Sequence, residues 1–314
     1  MEILAAVLTI IGLALFETIS SVDNAVINAE VMGKMSAKAR RWFLTYGMLI
    51  AVFGLRFTLP LAIVWVANPS LSPIDIVTAA FNSDTRIAEA IESSSPILLA
   101  GGGVFMVFLF FHWLFLEPKH FGLPKTEEFF MKQGVWFYAV ISILLTVIVW
   151  LALNQNAMMA FGAVVGSTAF FITHGFKQNA EEKEREILNS SGSSGMGDWS
   201  KILYLEVIDG TFSIDGVVGA FAFTMSIPLI MIGSGIGALV VRQVTISNIE
   251  SVKKYKFLKN GAMYSILVLG AVMLLDAFGI HIPEYVSPIA TFAILGYFFY
   301  LSHKSLKAEN PQPA

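Results

Sequence analysis

The chain has 314 residues, of which 56% are hydrophobic and 14% charged, with a formal net charge of −3 and no cysteine. A soluble domain carries about 25% charged residues, so this composition, at a mean hydropathy of +0.71, predicts an all-α polytopic membrane protein in contact with lipid. The missing cysteines exclude disulfides, thiolate metal centres and Cys nucleophiles, which leaves His and oxygen ligands, and nothing in the charge balance calls for a nucleic acid partner.

About 20 mostly apolar residues cross a bilayer, and nine runs qualify: 3–31, 42–67, 96–116, 135–153, 157–173, 202–224, 228–242, 260–280 and 286–303. The N-terminal Met-Glu-Ile has no basic region before the first run, which is therefore expected to be retained. Asn154-Gln155-Asn156 reads as a tight turn between the fourth and fifth runs. Basic residues follow every odd run: Lys34 to Arg41, Lys119 to Lys132, Lys177 to Lys201, Lys253 to Lys259, and Lys304 with Lys307. By the positive-inside rule this places the N-terminus outside and the C-terminus on the cytoplasmic side of the membrane.

The expected organisation is a first transmembrane half over 1–174, a flexible cytoplasmic linker over 175–201, a second half over 202–308 and a disordered tail over 309–314. The first half holds an extracytoplasmic loop at 68–95, with a short surface helix from Asp84 to Ile91 and the potential to dock a membrane or extracytoplasmic protein partner. The linker assignment rests on the Gly- and Ser-rich tract after Asn189.

Two stretches carry charge where it is expensive. The first run contains Glu17, Ser21, Asp23 and Asn24; the sixth contains Glu206, Asp209, Ser213, Asp215 and Gly216. A charged side chain at the centre of a membrane helix costs about 2.5–3.5 kcal/mol on insertion scales. Both stretches share one skeleton of acid, three residues, Ser, one residue, Asp. The first run crosses outside to inside and the sixth inside to outside, so the motif forms an inverted repeat, the arrangement in which transporters hold substrate at the midplane.

At about 100° per residue, Glu17, Ser21 and Asn24 share one helical face, while Asp23 points about 120° away; Asp209, Ser213 and Gly216 share a face with Glu206, and Asp215 is displaced likewise. The acids converge on one site only if the helices unwind between Ser21 and Asp23 and between Ser213 and Asp215. Otherwise Asp23 and Asp215 serve neighbouring helices. Arg56, deep in the second run, is the basic residue available as counter-ion. Carboxylate, amide and hydroxyl oxygens without thiolate suit Mn²⁺, Mg²⁺ or Ca²⁺.

The pattern Glu17-x-x-x-Ser21-x-Asp23-Asn24, with Glu206-x-x-Asp209-x-x-Phe212-Ser213-x-Asp215, resembles the TerC family of integral membrane proteins, within the LysE superfamily of exporters. That resemblance implies a divalent metal transporter, with manganese efflux foremost, rather than an enzyme. It implies Glu17, Asp23, Asn24, Asp209, Ser213 and Asp215 as metal ligands, with Ser21, Arg56 and Glu206 as counter-ion or supporting groups. Gly216 stands where many members of that family carry a hydroxyl residue. Two other readings remain open: a non-transporting membrane protein that holds metal or docks a partner, and an exporter of another small solute.

Other conspicuous residues have plainer readings. His112 and Glu117, five apart, lack helical ligand spacing and are expected in interfacial packing. His174 and His281 read as loop residues, Asp276 as an interfacial acid and Arg242 as a snorkelling residue. Gly101-Gly102-Gly103 and Gly233-Ser-Gly235-Ile-Gly237 lack the context of a phosphate loop and are expected to serve close helix packing.

Overall fold

The computed structural model describes residues 2–47, 50, 54, 56–67, 71–81, 85–189, 197–247 and 252–309. These are helical and contain no strand. In chain order they form α1 (Glu2–Ser20), α2 (Val22–Gly33), α3 (Ala37–Trp42), a π-helical turn at Phe43–Gly47, α4 (Arg56–Ala67), α5 (Pro73–Phe81), α6 (Thr85–Leu116), α7 (Pro124–Lys132), α8 (Phe137–Leu153), α9 (Ala157–Asn189), α10 (Asp198–Ala220), α11 (Ile227–Ser247), α12 (Leu258–Ala277) and α13 (Val286–Glu309).

Eight of the nine apolar runs coincide with a helix or helix pair, and the described residues of the other, 42–67, include the π-helical turn and α4. Among the described residues seven helices are long and apolar enough to cross a membrane unaided: α1, α6, α8, α9, α11, α12 and α13. The sixth run is α10, whose 23 residues reach about 34 Å at 1.5 Å per residue. Its Glu206, Asp209 and Asp215 lower its hydropathy, so a membrane crossing by α10 would require neighbours that compensate them. The second run contributes a shorter apolar helix, Phe57–Val66, after the π-helical turn.

Three boundaries differ from expectation. The first run is divided at Ser21, whose φ of −90° and ψ of 5° leave the helical region. The backbone bonds Ser21 N to Glu17 O (3.1 Å) and Ala25 N to Ser21 O (2.9 Å) persist across it. The helix therefore kinks without unwinding. Secondly, the segment expected as a short surface helix is the start of α6, which runs on through Pro96; Asp84 lies outside the described residues, and α5 occupies much of the preceding loop. Thirdly, α9 continues to Asn189 and α10 opens at Asp198. The charged stretch Lys177–Arg185, expected in a linker, is thus helical: its Lys177, Glu181 and Arg185 recur at the four-residue spacing of one helical face. Residues 190–196 and 310–314 lie outside the described residues.

The aromatic-rich core centres on α6, with Phe105, Phe108 and Trp113 fully buried. Helix α6 packs against α12 and α9, and α1 packs against α11. Without a hydrophobic drive between helices in lipid, such contacts depend on small residues that let backbones approach. A Cβ on Gly101 would lie 2.8 Å from Gly162 O, and one on Gly162 would lie 2.5 Å from Ile97 O. On the opposite side, a Cβ on Gly103 would lie 2.7 Å from Leu274 Cγ. The expected packing role of the triple glycine is met by two different neighbouring helices.

Replacement of Gly162 by Leu is expected to force α9 off α6 and cost about 1–3 kcal/mol, the usual range for overpacking. Thermal unfolding of the detergent-solubilised protein reads this directly; an unshifted midpoint would show that the crossing does not depend on the glycine.

Candidate functional site: two motif helices and a charged cavity

The motif helices meet by reciprocal exchange. Asn24 Nδ2 donates to Asp209 Oδ1, and Gly216 approaches the Glu17 carboxylate so closely that a Cβ would collide with its Oε2. In each repeat, the residue after the aspartate meets the first acid of the other repeat. Residue 24 lies against 209 and residue 17 against 216, so numbering rises along one helix as it falls along the other. The two motif helices therefore cross antiparallel.

Glu17, 2% exposed, is held by room as much as by bonds. Ser21 Oγ donates to its Oε1 at 3.0 Å. A Cβ on Gly237 of α11 would lie 2.6 Å from Glu17 Cβ. Gly233 lies one turn earlier, against Leu13. The small-residue face at Gly233 and Gly237 thus seats α1, and a side chain at 216 or 237 would displace the carboxylate. On the other motif helix, Ser213 Oγ donates to Asp209 O at 2.6 Å, and Glu206 lies against Gly47 of the π-helical turn.

Asp23 and Asp215 turn to other helices. Lys259 at the start of α12 pairs with Asp23 Oδ2 at 2.7 Å and with Glu117 Oε2 at 2.9 Å. Lys177 of α9 pairs with Asp215 and lies 4.8 Å from the centre of the Phe212 ring. Both ion pairs border one cavity of about 390 Å³, lined also by Glu117, Glu181 and Arg185. Eight of the named residues are therefore split: Glu17, Ser21, Asn24, Asp209 and Ser213 form an inner polar layer, with Glu206 one turn along α10, while Asp23 and Asp215 border the cavity. Arg56 begins α4.

This corrects the charge accounting drawn from the sequence. The acids near the cavity are compensated by Lys177, inside α9, and Lys259, at the start of α12, which the sequence marks only as part of a basic side. Glu117 was missed as well, because five residues do not bring two side chains together on one helix. The chain leaves α6 after Leu116, and that turn carries Glu117 Oε1 back to within 3.3 Å of His112 Nδ1. Burial opposes charge on Glu117, but its contacts with His112 and Lys259 outweigh this and hold its carboxyl well below the usual carboxylate range. His174, expected in a loop, lies in α9 with its ring centre 3.9 Å from that of His112.

Lys259 is fixed by its neighbour. Asn260 Nδ2 donates to His120 O at 2.9 Å and to both oxygens of the fully buried Glu127, at 3.1 and 3.0 Å. Gly122 N also donates to Glu127 Oε2 at 2.8 Å. These bonds pin the α6–α7 turn to the first turn of α12, beside Glu117 and Lys259.

Among the described residues no three His, Asp or Glu side chains gather closely enough to make a metal centre alone. What the interior does present is acceptor oxygen: Asn24 Oδ1, Asn28 Oδ1, Asp215 Oδ1 and both carboxylate oxygens of Glu206 are buried with no hydrogen-bond donor. Such groups cost about 1–3 kcal/mol each, more when charged.

Breaking the Lys177–Asp215 pair by Lys177→Met is expected to destabilise the protein by about 3–5 kcal/mol, because it strands a buried carboxylate. Adding Asp215→Asn should recover part of that loss. Additive effects of the two substitutions in a double-mutant unfolding cycle would show that the pair is not coupled.

Comparison with known proteins gives a family without an assigned activity. Over 107 residues, 33% of this chain and 42% of the relative, the sequence is 27% identical to the uncharacterized membrane protein YceF of Bacillus subtilis (strain 168). No solved structure matches the chain. The family model described as protein of unknown function DUF475 matches residues 22–308, from the kink in the first run to the end of the last helix, and the chain belongs to that family.

Proposed function

We propose that this protein carries a small divalent cation across the bacterial inner membrane, with manganese as the first candidate and magnesium or calcium as the competing hard cations. The observation that carries the reading is the set of buried acceptor oxygens without donors on Asn24, Asn28, Glu206 and Asp215. Buried carboxylate and amide oxygens left without donors suit a cation that accepts oxygen ligands of mixed type. The inner layer of Glu17, Asn24, Asp209 and Ser213 is the resting place; amides, hydroxyls, carbonyls and water complete a shell that the carboxylates alone do not fill. The cavity between Asp23 and Asp215 is the approach from the basic, cytoplasmic side, consistent with efflux.

The resemblance to TerC at both motifs supports the same cargo, and the antiparallel crossing of the motif helices supports an inverted repeat whose halves move against each other. Glycine stands opposite Glu17 at position 216, whereas an amide stands opposite Asp209 at position 24, so the two halves of the site are chemically unequal.

A second reading has an observation of its own. The cavity mixes Asp23, Glu117 and Asp215 with Lys177, Arg185 and Lys259, and those cations supply the carboxylate partners that a zwitterionic solute would need. Reconstituted vesicles separate the readings. Mn²⁺ flux by the wild type, reduced at least tenfold in Asp209→Asn and in Glu17→Gln, is the expected outcome. Flux unchanged in both variants would overturn the proposal. Bound Mn²⁺ without flux would favour a metal-holding protein, and amino acid flux without Mn²⁺ flux would favour the second reading.

A further inference from the structure

We infer that His112 is the proton-binding group through which protons and cations compete for this protein, making cytoplasmic protonation an antagonist of cation entry. The inference rests on the proposed cation function and adds its coupling ion.

The geometry is a continuous chain from a buried imidazole to the cavity. His112 is 7% exposed, enclosed by Phe137 of α8 and by Phe170 and His174 of α9. Its Nδ1 lies 3.3 Å from Glu117 Oε1. The other oxygen of that carboxylate holds Lys259 at 2.9 Å, and Lys259 holds Asp23 at 2.7 Å. A proton on His112 is thereby registered at the cavity wall through one shared carboxylate and one shared ammonium.

The sign follows from the charges that face the chain. The cavity is bordered by four acids, Asp23, Glu117, Glu181 and Asp215, and three bases, Lys177, Arg185 and Lys259. With His112 neutral the group carries −1 and attracts a cation. With His112 protonated it sums to zero, and the attraction is lost. Histidine is the side chain whose ordinary titration falls between about pH 5 and 8. His174 does not add a second proton at the same cost, because two imidazoles whose ring centres are 3.9 Å apart repel each other when both are charged. The balance is one divalent cation bound and one proton released from His112. By linkage, the factor by which the proton weakens cation binding equals the factor by which the cation weakens proton binding.

The test uses the full chain in detergent with Mn²⁺ as probe, following affinity and proton release between about pH 5.5 and 7.5. For the wild type, affinity should fall by up to about tenfold per pH unit at the acidic end, with protons released on binding. His112→Gln should bind Mn²⁺ with its affinity nearly flat over that range and release far fewer protons. A variant that keeps the wild-type pH dependence and proton release overturns the inference and leaves cation transport standing. Should His112→Gln not fold, wild-type binding without proton release anywhere in that range overturns it instead. Absence of Mn²⁺ binding by the wild type at every pH overturns the cation reading, and this inference with it.

Discussion

Ionised groups inside an apolar helix bundle have to be compensated by other parts of the same chain, and that requirement governs how this protein is assembled. Helix α10 cannot stay in a bilayer with Glu206, Asp209 and Asp215 on its surface, so it packs where α2 offers Asn24 and α9 offers Lys177. Helix α1 faces the same problem at Glu17 and solves it with close-approaching glycines on α10 and α11. The small-residue crossings are thus more than packing devices: they allow the polar groups of different helices to come within reach.

Two kinds of compensation result, and they occupy different places. The inner layer is closed by an amide and hydroxyls: Asn24 on Asp209, Ser21 on Glu17, Ser213 on a backbone carbonyl. The cavity layer is closed by tethered ammoniums, Lys259 on Asp23 and Glu117, Lys177 on Asp215. Amides and hydroxyls leave acceptor oxygens over, whereas ammonium groups neutralise the charge they meet. Unsatisfied acceptors accordingly remain on Asn24, Asn28 and Glu206, and on Asp215 Oδ1, the oxygen that Lys177 does not meet.

Much of this was legible in the sequence, for identifiable reasons. Apolar run length found the helices, because the bilayer imposes a length that little else overrides. The repeated acid-Ser-Asp skeleton found both halves of the inner layer, and helical angles separated Asp23 and Asp215 from their motif mates. What escaped depends on chain ends and long side chains. Lys177 and Lys259 are placed by where α9 continues and where α12 begins, and neither boundary has a strong sequence mark. Glu117 pairs with His112 through a turn, which helical periodicity does not describe. The Gly- and Ser-rich tract after Asn189 makes the charged stretch before it read as linker too, yet Lys177, Glu181 and Arg185 lie in α9 and all border the cavity.

The two lysines also constrain how the proposed cargo could move. An ammonium on a flexible stem is a cation that cannot leave, and it holds the positions a mobile cation would have to pass. A divalent ion entering between Asp23 and Asp215 must displace one or both lysines before it can reach Asp209. Displacement is feasible because each lysine has a second place to rest: Lys259 keeps Glu117 when it releases Asp23, and Lys177 lies beside the face of Phe212 and one turn from Glu181. Asp23 and Asp215, unlike Glu17 and Asp209, are paired with groups from outside the repeat, on α12 and α9. Movement of one repeat against the other would leave the inner amide–carboxylate contact intact only if it pivots there. Under the proposed transport, the Asn24–Asp209 contact would be the fulcrum and the lysine pairs the contacts that such a motion opens.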